Sequence, residues 1–391
     1  MKKFLMIIPL VSLLCFTSGC QQQSEEVTEE SVVDVEKQKA NFEQLEDYIQ
    51  EVMRNSEIPG LSVSIIMDDS VIFSKGFGVR MVGKKEPVNR NTLFNVASLS
   101  KAFTAAAIAL QVDSGELKWD DPVIKHLPEF KLYAPYITQN ITIRDMLTMR
   151  SGLTGGDSLW ADTNRTRSEV IHEMRNLKPK GQFRLILDAY NIHYLVAGQV
   201  VTASASITWD DFIKERLFAP LKMSSTFSKY EDVQLIDNYA SPHIVDEGKV
   251  QLLQKRDYNN ISPAAGIVTN VVDLSQWIRL QLSNGVFEGK RIFSDESMKE
   301  MHKPQILAPY WFKDYFNPHA LFMTYGMGWG ISDYKGLIVL DHGGMVAGFT
   351  AYIAMVPSKQ LGIVILSNMD NRMTSIVDIK FKAFELLMSK N

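Results

Sequence analysis

Apolar positions first recur at helical spacing after residue 41, where Phe42, Leu45, Ile49 and Met53 fall three or four residues apart. The pattern stops at Ile58-Pro59-Gly60, residues that end helices. Two runs of strand character follow, 61–67 and 71–78, joined by Asp68-Asp69-Ser70 as a tight turn. The far end of the chain shows the same grammar: β-rich runs at 336–340, 348–356 and 361–368 are separated by Gly, Pro and Ser, and a helical stretch covers 375–388. Between the two β-rich ends lies a mostly helical stretch, about 98–282, with an apolar helix at 101–112 and an amphipathic run at 192–202. The pattern predicts an α+β fold, in which one antiparallel sheet is built from both chain ends, flanked by helices, and a mostly helical lobe is inserted between its halves.

Composition adds limits. The chain has 391 residues, 46% of them apolar, enough to bury a large core in one domain carrying an inserted lobe. A formal net charge of −4 gives no positive field to hold nucleic acid, so a polyanionic ligand is not expected. The start of the chain reads as an export signal over residues 1–19: Lys2 and Lys3, an apolar stretch over 4–16 too short to span a bilayer, then Thr17-Ser18-Gly19-Cys20. Small residues ahead of a Cys resemble a bacterial lipobox, with Thr17 where Leu is usual. On that reading Cys20 is lipidated, residues 20–40 are a solvated tether without useful periodicity, and 41–388 are the folded domain. The expected location is the outer face of the cell membrane, with contact to the membrane through the lipid anchor alone. Both cysteines, Cys15 and Cys20, lie in the leader, which excludes disulfides and thiol chemistry in the body.

The residues with chemical promise are Ser98 and Lys101. They stand three positions apart at the start of the apolar run 102–110, so their side chains share one face of a buried helix. Unpaired amides of a first helical turn favour negative charge near the Ser98 hydroxyl, and an ammonium held at an apolar helix entrance is driven toward the neutral amine that can accept a proton. Ser-x-x-Lys alone is a weak signal. Ser332 to Lys335 is a second instance, which has no apolar helix behind it.

Neighbouring blocks sharpen the first instance. Leu93-Phe94-Asn95-Val96-Ala97-Ser98-Leu99-Ser100-Lys101 is followed by Asp120-Asp121-Pro122, Leu127-Pro128-Glu129-Phe130, Ile141-Thr142-Ile143-Arg144-Asp145, Ser151-Gly152-Leu153, Pro263-Ala264-Ala265-Gly266, Tyr325-Gly326-Met327-Gly328-Trp329 and His342-Gly343-Gly344. In this order, across residues 41–388, the chain resembles the family of class C β-lactamases, D-Ala-D-Ala carboxypeptidases and related esterases. The resemblance implies Ser98 as nucleophile, Lys101 as its base, and His342, Gly343 and Gly344 along a substrate-binding strand with an adjacent amide for the oxyanion. It also implies Tyr-x-Asn, and here the chain departs. Asn191 fits the asparagine and is expected to bind substrate, but Ala189 stands where the phenol belongs, with Tyr190 adjacent. Either a local shift lets Tyr190 serve as a catalytic phenol, the reading favoured here, or the relay is lost. Met149 replaces a histidine of many relatives, and residues 152–179 are a candidate substrate-facing loop.

Metal and phosphate chemistry find no support in the spacing of the seven histidines or in the glycines, and no cofactor is implied. The expectation is acyl transfer to Ser98 and hydrolysis of the acyl-enzyme. The candidate partners are peptidoglycan peptide or a β-lactam-like small molecule, with other D-amino-acid peptides and small esters also open. The alternative is a relative that keeps the pocket and binds cell-wall peptide or penicillin with little or no turnover.

Overall fold

A computed structural model describes residues 29–153 and 155–388. The leader and Cys20 lie outside the described residues. Helix α1 (Glu29–Asn55) starts well before residue 41, so residues 29–40 are helical where a structureless tether is expected. Residues 36–40, Glu-Lys-Gln-Lys-Ala, are all good helix formers and continue the helix backwards from the body without any apolar periodicity. Packing divides the chain after Asn41, and the body begins at Phe42.

The body is built on one eight-stranded sheet. Its strands are β1 (Gly60–Met67), β2 (Ser70–Gly78), β3 (Ile306–Leu307), β4 (Met323–Tyr325), β5 (Gly330–Tyr334), β6 (Leu337–Val346), β7 (Phe349–Val356) and β8 (Leu361–Ser367), in the order β2-β1-β8-β7-β6-β5-β4-β3. All neighbours pair antiparallel. The N-terminal hairpin joins the C-terminal meander through β1 and β8, from Leu61 opposite Ser367 to Met67 opposite Leu361. The sheet from both chain ends is therefore present, and β3, β4 and β5 extend it beyond the runs visible in the sequence. Those strands are short, two to five residues each, and Gly326 and Gly328 lie between β4 and β5, so little alternation shows.

Both faces of the central strands are covered. Along β8, Leu361, Ile363 and Ile365 join the core that includes Leu45 and Ile49 of α1 and Phe384 of α5 (Met373–Met388). Val364 and Leu366 join the core shared with the lobe. Alternate side chains of a strand face opposite sides, so two covers make the strand apolar throughout. On the lobe side, α2 (Ser100–Asp113) runs through the largest core, with Phe103 stacked on Trp277 of α4 (Val271–Leu282) at 4.3 Å between ring centroids. α4 lies against β8 where Gly362 leaves room: a Cβ there would come within 2.3 Å of Ile278.

The lobe is mostly helical, as the periodicity predicts, and also holds a small hairpin, His243–Asp246 with Lys249–Leu252. Phe94–Asn95 pairs with Val268–Thr269. That pairing closes the lobe at its base, next to Ser98.

Candidate active site

The chain turns sharply as it enters α2. Asn95 Oδ1 accepts from the Ala97 amide at 2.7 Å, and Ser100 Oγ donates to the Ala97 carbonyl at 2.7 Å. Between these bonds Ala97 is held at φ +50°, a conformation that costs a non-glycine residue about 1–3 kcal/mol and persists only when its surroundings enforce it. The consequence is a 3₁₀ turn, Ala97–Leu99, ahead of α2, with Leu99 buried and Ser98 left partly accessible.

Lys101 follows in the first turn of α2 and is 4% exposed. Its Nζ lies 2.7 Å from Ser98 Oγ, 2.7 Å from Asn191 Oδ1 and 3.2 Å from the Ala264 carbonyl. Burial pushes its pKa down to about 7, against the opposing pull of Asp157. The geometry states what the neutral amine does. Its two N–H groups have two partners that can only accept, Asn191 Oδ1 and the Ala264 carbonyl, so its lone pair is left for the Ser98 hydroxyl proton.

Asn191 precedes α3 (Ile192–Ala205) in a helical conformation, and its side chain makes no capping bond. It is turned to Lys101 instead. The segment leading to it is fixed through its backbone: Asp188 N donates to the Met149 carbonyl at 2.7 Å, Tyr190 N to the Asp188 carbonyl at 2.7 Å, and His193 Nδ1 to the Tyr190 carbonyl at 3.0 Å. His193 Nε2 meets Ser151 Oγ at 2.6 Å, tying this segment to the 148–153 turn.

Tyr190 is where the favoured reading fails. Its side chain is packed against the core, and no hydrogen bond of its hydroxyl to Ser98 or Lys101 occurs among the described residues. Adjacent residues entering a helix point about 100° apart, so a chain that aims Asn191 at Lys101 aims Tyr190 elsewhere. Ala189 is exposed and brings only a methyl group.

The sheet forms the opposite wall. β5 pairs with β6 only as far as Gly330 opposite Asp341, whereas β6 continues along β7 to Val346 opposite Phe349. Residues 342–346 therefore have no ladder partner on the β5 side among the described residues, and backbone N–H groups there can serve a ligand. Gly344 lies against the Ser98 turn: a Cβ on it would approach the Val96 carbonyl to 2.5 Å and the Ser98 amide to 2.8 Å. Gly343 faces the other way, where Phe316 and Met373 fill the place of a side chain. It can meet a ligand only through its backbone.

His342 is locked by two bonds. A carbonyl can only accept, so Nδ1 donates to the Gly343 carbonyl at 2.8 Å, and Nε2 takes the Tyr325 hydroxyl at 3.1 Å. Burial and the nearby Lys101 charge push its pKa down to about 3, so the ring is neutral. Tyr325 also lies 3.5 Å from the Tyr194 hydroxyl, which donates to the Leu147 carbonyl at 2.5 Å.

Three further residues complete the surroundings of the site. Tyr325 and Ala264 belong to blocks already noticed, but nothing in a linear pattern says which atom of each faces Lys101 or His342. Asp157 sits in the 152–179 loop and accepts from Asn191 Nδ2 at 3.4 Å and Trp160 Nε1 at 2.8 Å. The second Ser-x-x-Lys forms no pair: Ser332 is buried in β5 and takes a bond from Asn317, and Lys335 is exposed in a turn.

The family model for Beta-lactamase matches residues 45–385. The chain belongs to the Beta-lactamase family. Curated relatives include a protein described as unguisins hydrolase from Aspergillus violaceofuscus, 26% identical over 82% of this chain, and Protein flp from Staphylococcus aureus, 28% identical over 84%. The matches cover 60% and 63% of those proteins' own lengths. Among solved structures, the octameric penicillin-binding protein homologue from Pyrococcus abyssi superposes with a TM-score of 0.76 at 27% identity, covering 90% of this chain and 78% of that one. A class C β-lactamase superposes at 0.74 with 21% identity, covering 90% of this chain and 98% of that one, a likeness of fold.

The close approach of β6 to the Ser98 turn gives a direct test. Gly344→Ala is expected to cost about 1–3 kcal/mol in urea unfolding by overpacking and to abolish covalent labelling of Ser98. Gly181→Ala, whose Cβ would meet nothing nearer than 3.5 Å, is expected to leave both nearly unchanged.

Proposed function

We propose that this family member is a serine acyl hydrolase acting on an amide or ester through a Ser98 acyl-enzyme, with Lys101 as its general base. The observation that carries the reading is the 2.7 Å contact between a buried amine and the Ser98 hydroxyl, with the other N–H directions of that amine taken by Asn191 and Ala264.

The lone pair of Lys101 takes the Ser98 proton as Oγ attacks the carbonyl carbon. Negative charge on the former carbonyl oxygen is met by the Ser98 amide and by N–H groups on the open edge of β6. Lys101, now an ammonium 5.8 Å from the centre of the Tyr194 ring, returns the proton to the leaving oxygen or nitrogen as that bond breaks. Water then attacks the Ser98 ester in the same geometry, with Lys101 again accepting and returning one proton. Asn191 aligns the amine, and of its two amide N–H groups one goes to Asp157 and the other is available to substrate.

Ala189 favours a second reading, a protein that acylates and releases slowly. Without a phenol beside the serine, both proton transfers fall to one amine, and the ester intermediate can accumulate. A fluorophosphonate and a labelled penicillin, each applied to wild type and Ser98→Ala, separate the two. Ser98-dependent labelling that decays on chasing supports the hydrolase, and persistent labelling supports the trap. Folded protein that neither probe labels overturns both.

The amine sets the pH dependence. It acts only when unprotonated, so kcat/KM, or the labelling rate, is expected to fall about tenfold per pH unit below about 7 and to level off above it. Lys101→Arg, always protonated, is expected to lose the reaction at every pH. A wild-type profile flat between pH 5 and 9 contradicts Lys101 as base.

We also place the reaction outside the cytoplasm, held to the membrane by lipid on Cys20. The basic start, the short apolar run and the small residues before Cys20 support this. Metabolic palmitate labelling is expected in the wild type and absent in Cys20→Ala; equal labelling of the two refutes the anchor.

A further inference from the structure

The face of β6 that points away from Ser98 carries charges of its own. Asp341 is 1% exposed and Lys380 of α5 is 0% exposed, and neither takes part in the chemistry above. The Tyr352 hydroxyl stands between them, donating to Asp341 Oδ2 at 2.6 Å and accepting from Lys380 Nζ at 3.3 Å. A second N–H of Lys380 goes to the carbonyl of Phe316 at 3.1 Å, the last residue of the short helix Tyr310–Phe316. Burial pushes the Asp341 carboxyl up and the Lys380 amine down, and the charge of each works against the shift of the other. A buried charge pair is a poor source of stability, since packed apolar side chains of similar volume often serve as well. Its place in the sheet gives it another use.

Asp341 is the last residue of β6 with a partner on β5, opposite Gly330, and the open edge begins at the next residue. Gly330 gives the carboxylate its room: a Cβ there would come within 2.6 Å of Asp341 Oδ1. Two residues further along β6, Gly343 rests on the Phe316 ring, which would lie 2.3 Å from a Cβ. Phe316 stacks on Tyr352, with 6.5 Å between ring centroids and 12° between planes. Phe316 therefore meets the Lys380 ammonium through its carbonyl and backs Gly343 through its ring. Strand alternation turns Gly344 to the opposite face, against the Ser98 turn. A shift of Asp341 or Phe316 on one face of the sheet moves the amides on the other.

We propose that Asp341, Tyr352 and Lys380 are positioning residues for the oxyanion: their buried bridge fixes the point where β6 leaves β5 and backs Gly343, so that the open-edge N–H groups stay within reach of Ser98. The inference rests on the hydrolase reading and adds to it three residues that touch no substrate. Hydrogen-bond donors stabilise a developing charge only when held in place, and a misplacement of about 1 Å costs on the order of a hundredfold in rate.

Tyr352→Phe keeps the ring and removes the bridging hydroxyl, and Asp341→Asn and Lys380→Met each remove one charge. Leu45→Ala, in the same core but on α1, is the control for lost stability alone. Acylation of Ser98 in the full chain is followed with a p-nitrophenyl ester and with its thionoester, whose sulfur is a weak hydrogen-bond acceptor. The ratio of the two rates reports the oxyanion donors and does not depend on the fraction of protein folded. It is expected to fall about tenfold in each of the three bridge variants and to keep its wild-type value in Leu45→Ala. Amide hydrogen exchange over 342–346 is expected to rise in the same three variants and not in the control. An unchanged ratio in the folded bridge variants overturns the proposal, as does an equal loss in Leu45→Ala. If neither ester acylates wild-type Ser98, the hydrolase reading fails on its own, and the exchange over 342–346 decides whether the bridge holds the open edge.

Discussion

The site depends on keeping a lysine amine out of water at the entrance of an apolar helix. A buried ammonium without a carboxylate partner is expensive, and Lys101 has no salt-bridge partner among the described residues, only a hydroxyl, an amide oxygen and a backbone carbonyl. Those acceptors are good enough to hold the amine in place and too weak to keep it fully charged. That balance brings its pKa to about 7. A carboxylate in the place of Asn191 would stabilise the ammonium and remove the base. The apolar run after Lys101 thus does two jobs, supplying the core that anchors α2 and the low-dielectric surroundings that make its first turn reactive.

The fold brings together parts of the chain that are far apart in sequence. Ser98 and Lys101 sit where the N-terminal hairpin hands the chain to the lobe, Asn191 enters from the middle of the lobe, and His342 to Val346 come from the C-terminal meander. The β1–β8 pairing joins the chain ends, and the Phe94–Asn95 pairing with Val268–Thr269 closes the lobe beneath Ser98. Contacts of this kind are non-local, so the site forms only when both halves of the sheet and the lobe have docked. The strained Ala97 fits this picture, because its conformation is held by Asn95 and Ser100 on either side, and Ser100 Oγ in turn receives the Ile267 amide at 3.1 Å.

The sheet from both chain ends, the buried helix and the Ser98–Lys101 pair were legible because each rests on a local pattern: period two, period 3.6, and a three-residue step on one helix face. β3 and β4 were not, since strands of two or three residues carry too few alternations to register. Tyr190 was misjudged for a geometric reason. Sequence places it next to Asn191, but neighbours at a helix entrance diverge, and orientation is not a property of adjacency. Asp157 was invisible because its importance comes from tertiary contact with Asn191. The helical residues 29–40 were missed because no apolar stripe marks them.

The lost phenol also decides what the remaining tyrosines can do. Tyr194 and Tyr325 lie close to Lys101 and His342 and could be mistaken for a replacement relay. Their hydrogen bonds run the wrong way. The His342 Nδ1 proton goes to the Gly343 carbonyl, the Tyr325 proton goes to His342 Nε2, and the Tyr194 proton goes to the Leu147 carbonyl. Each end of the chain is a backbone carbonyl, which accepts a hydrogen bond and passes no proton on. Burial raises the pKa of both phenols, so neither becomes a phenolate that could take a proton from Ser98. This network holds β4, β6, α3 and the 147–153 turn at fixed spacing and sets the neutral form of His342. On the proposed mechanism, proton transfer is left to the one group with both a lone pair and a contact to Ser98, the amine of Lys101.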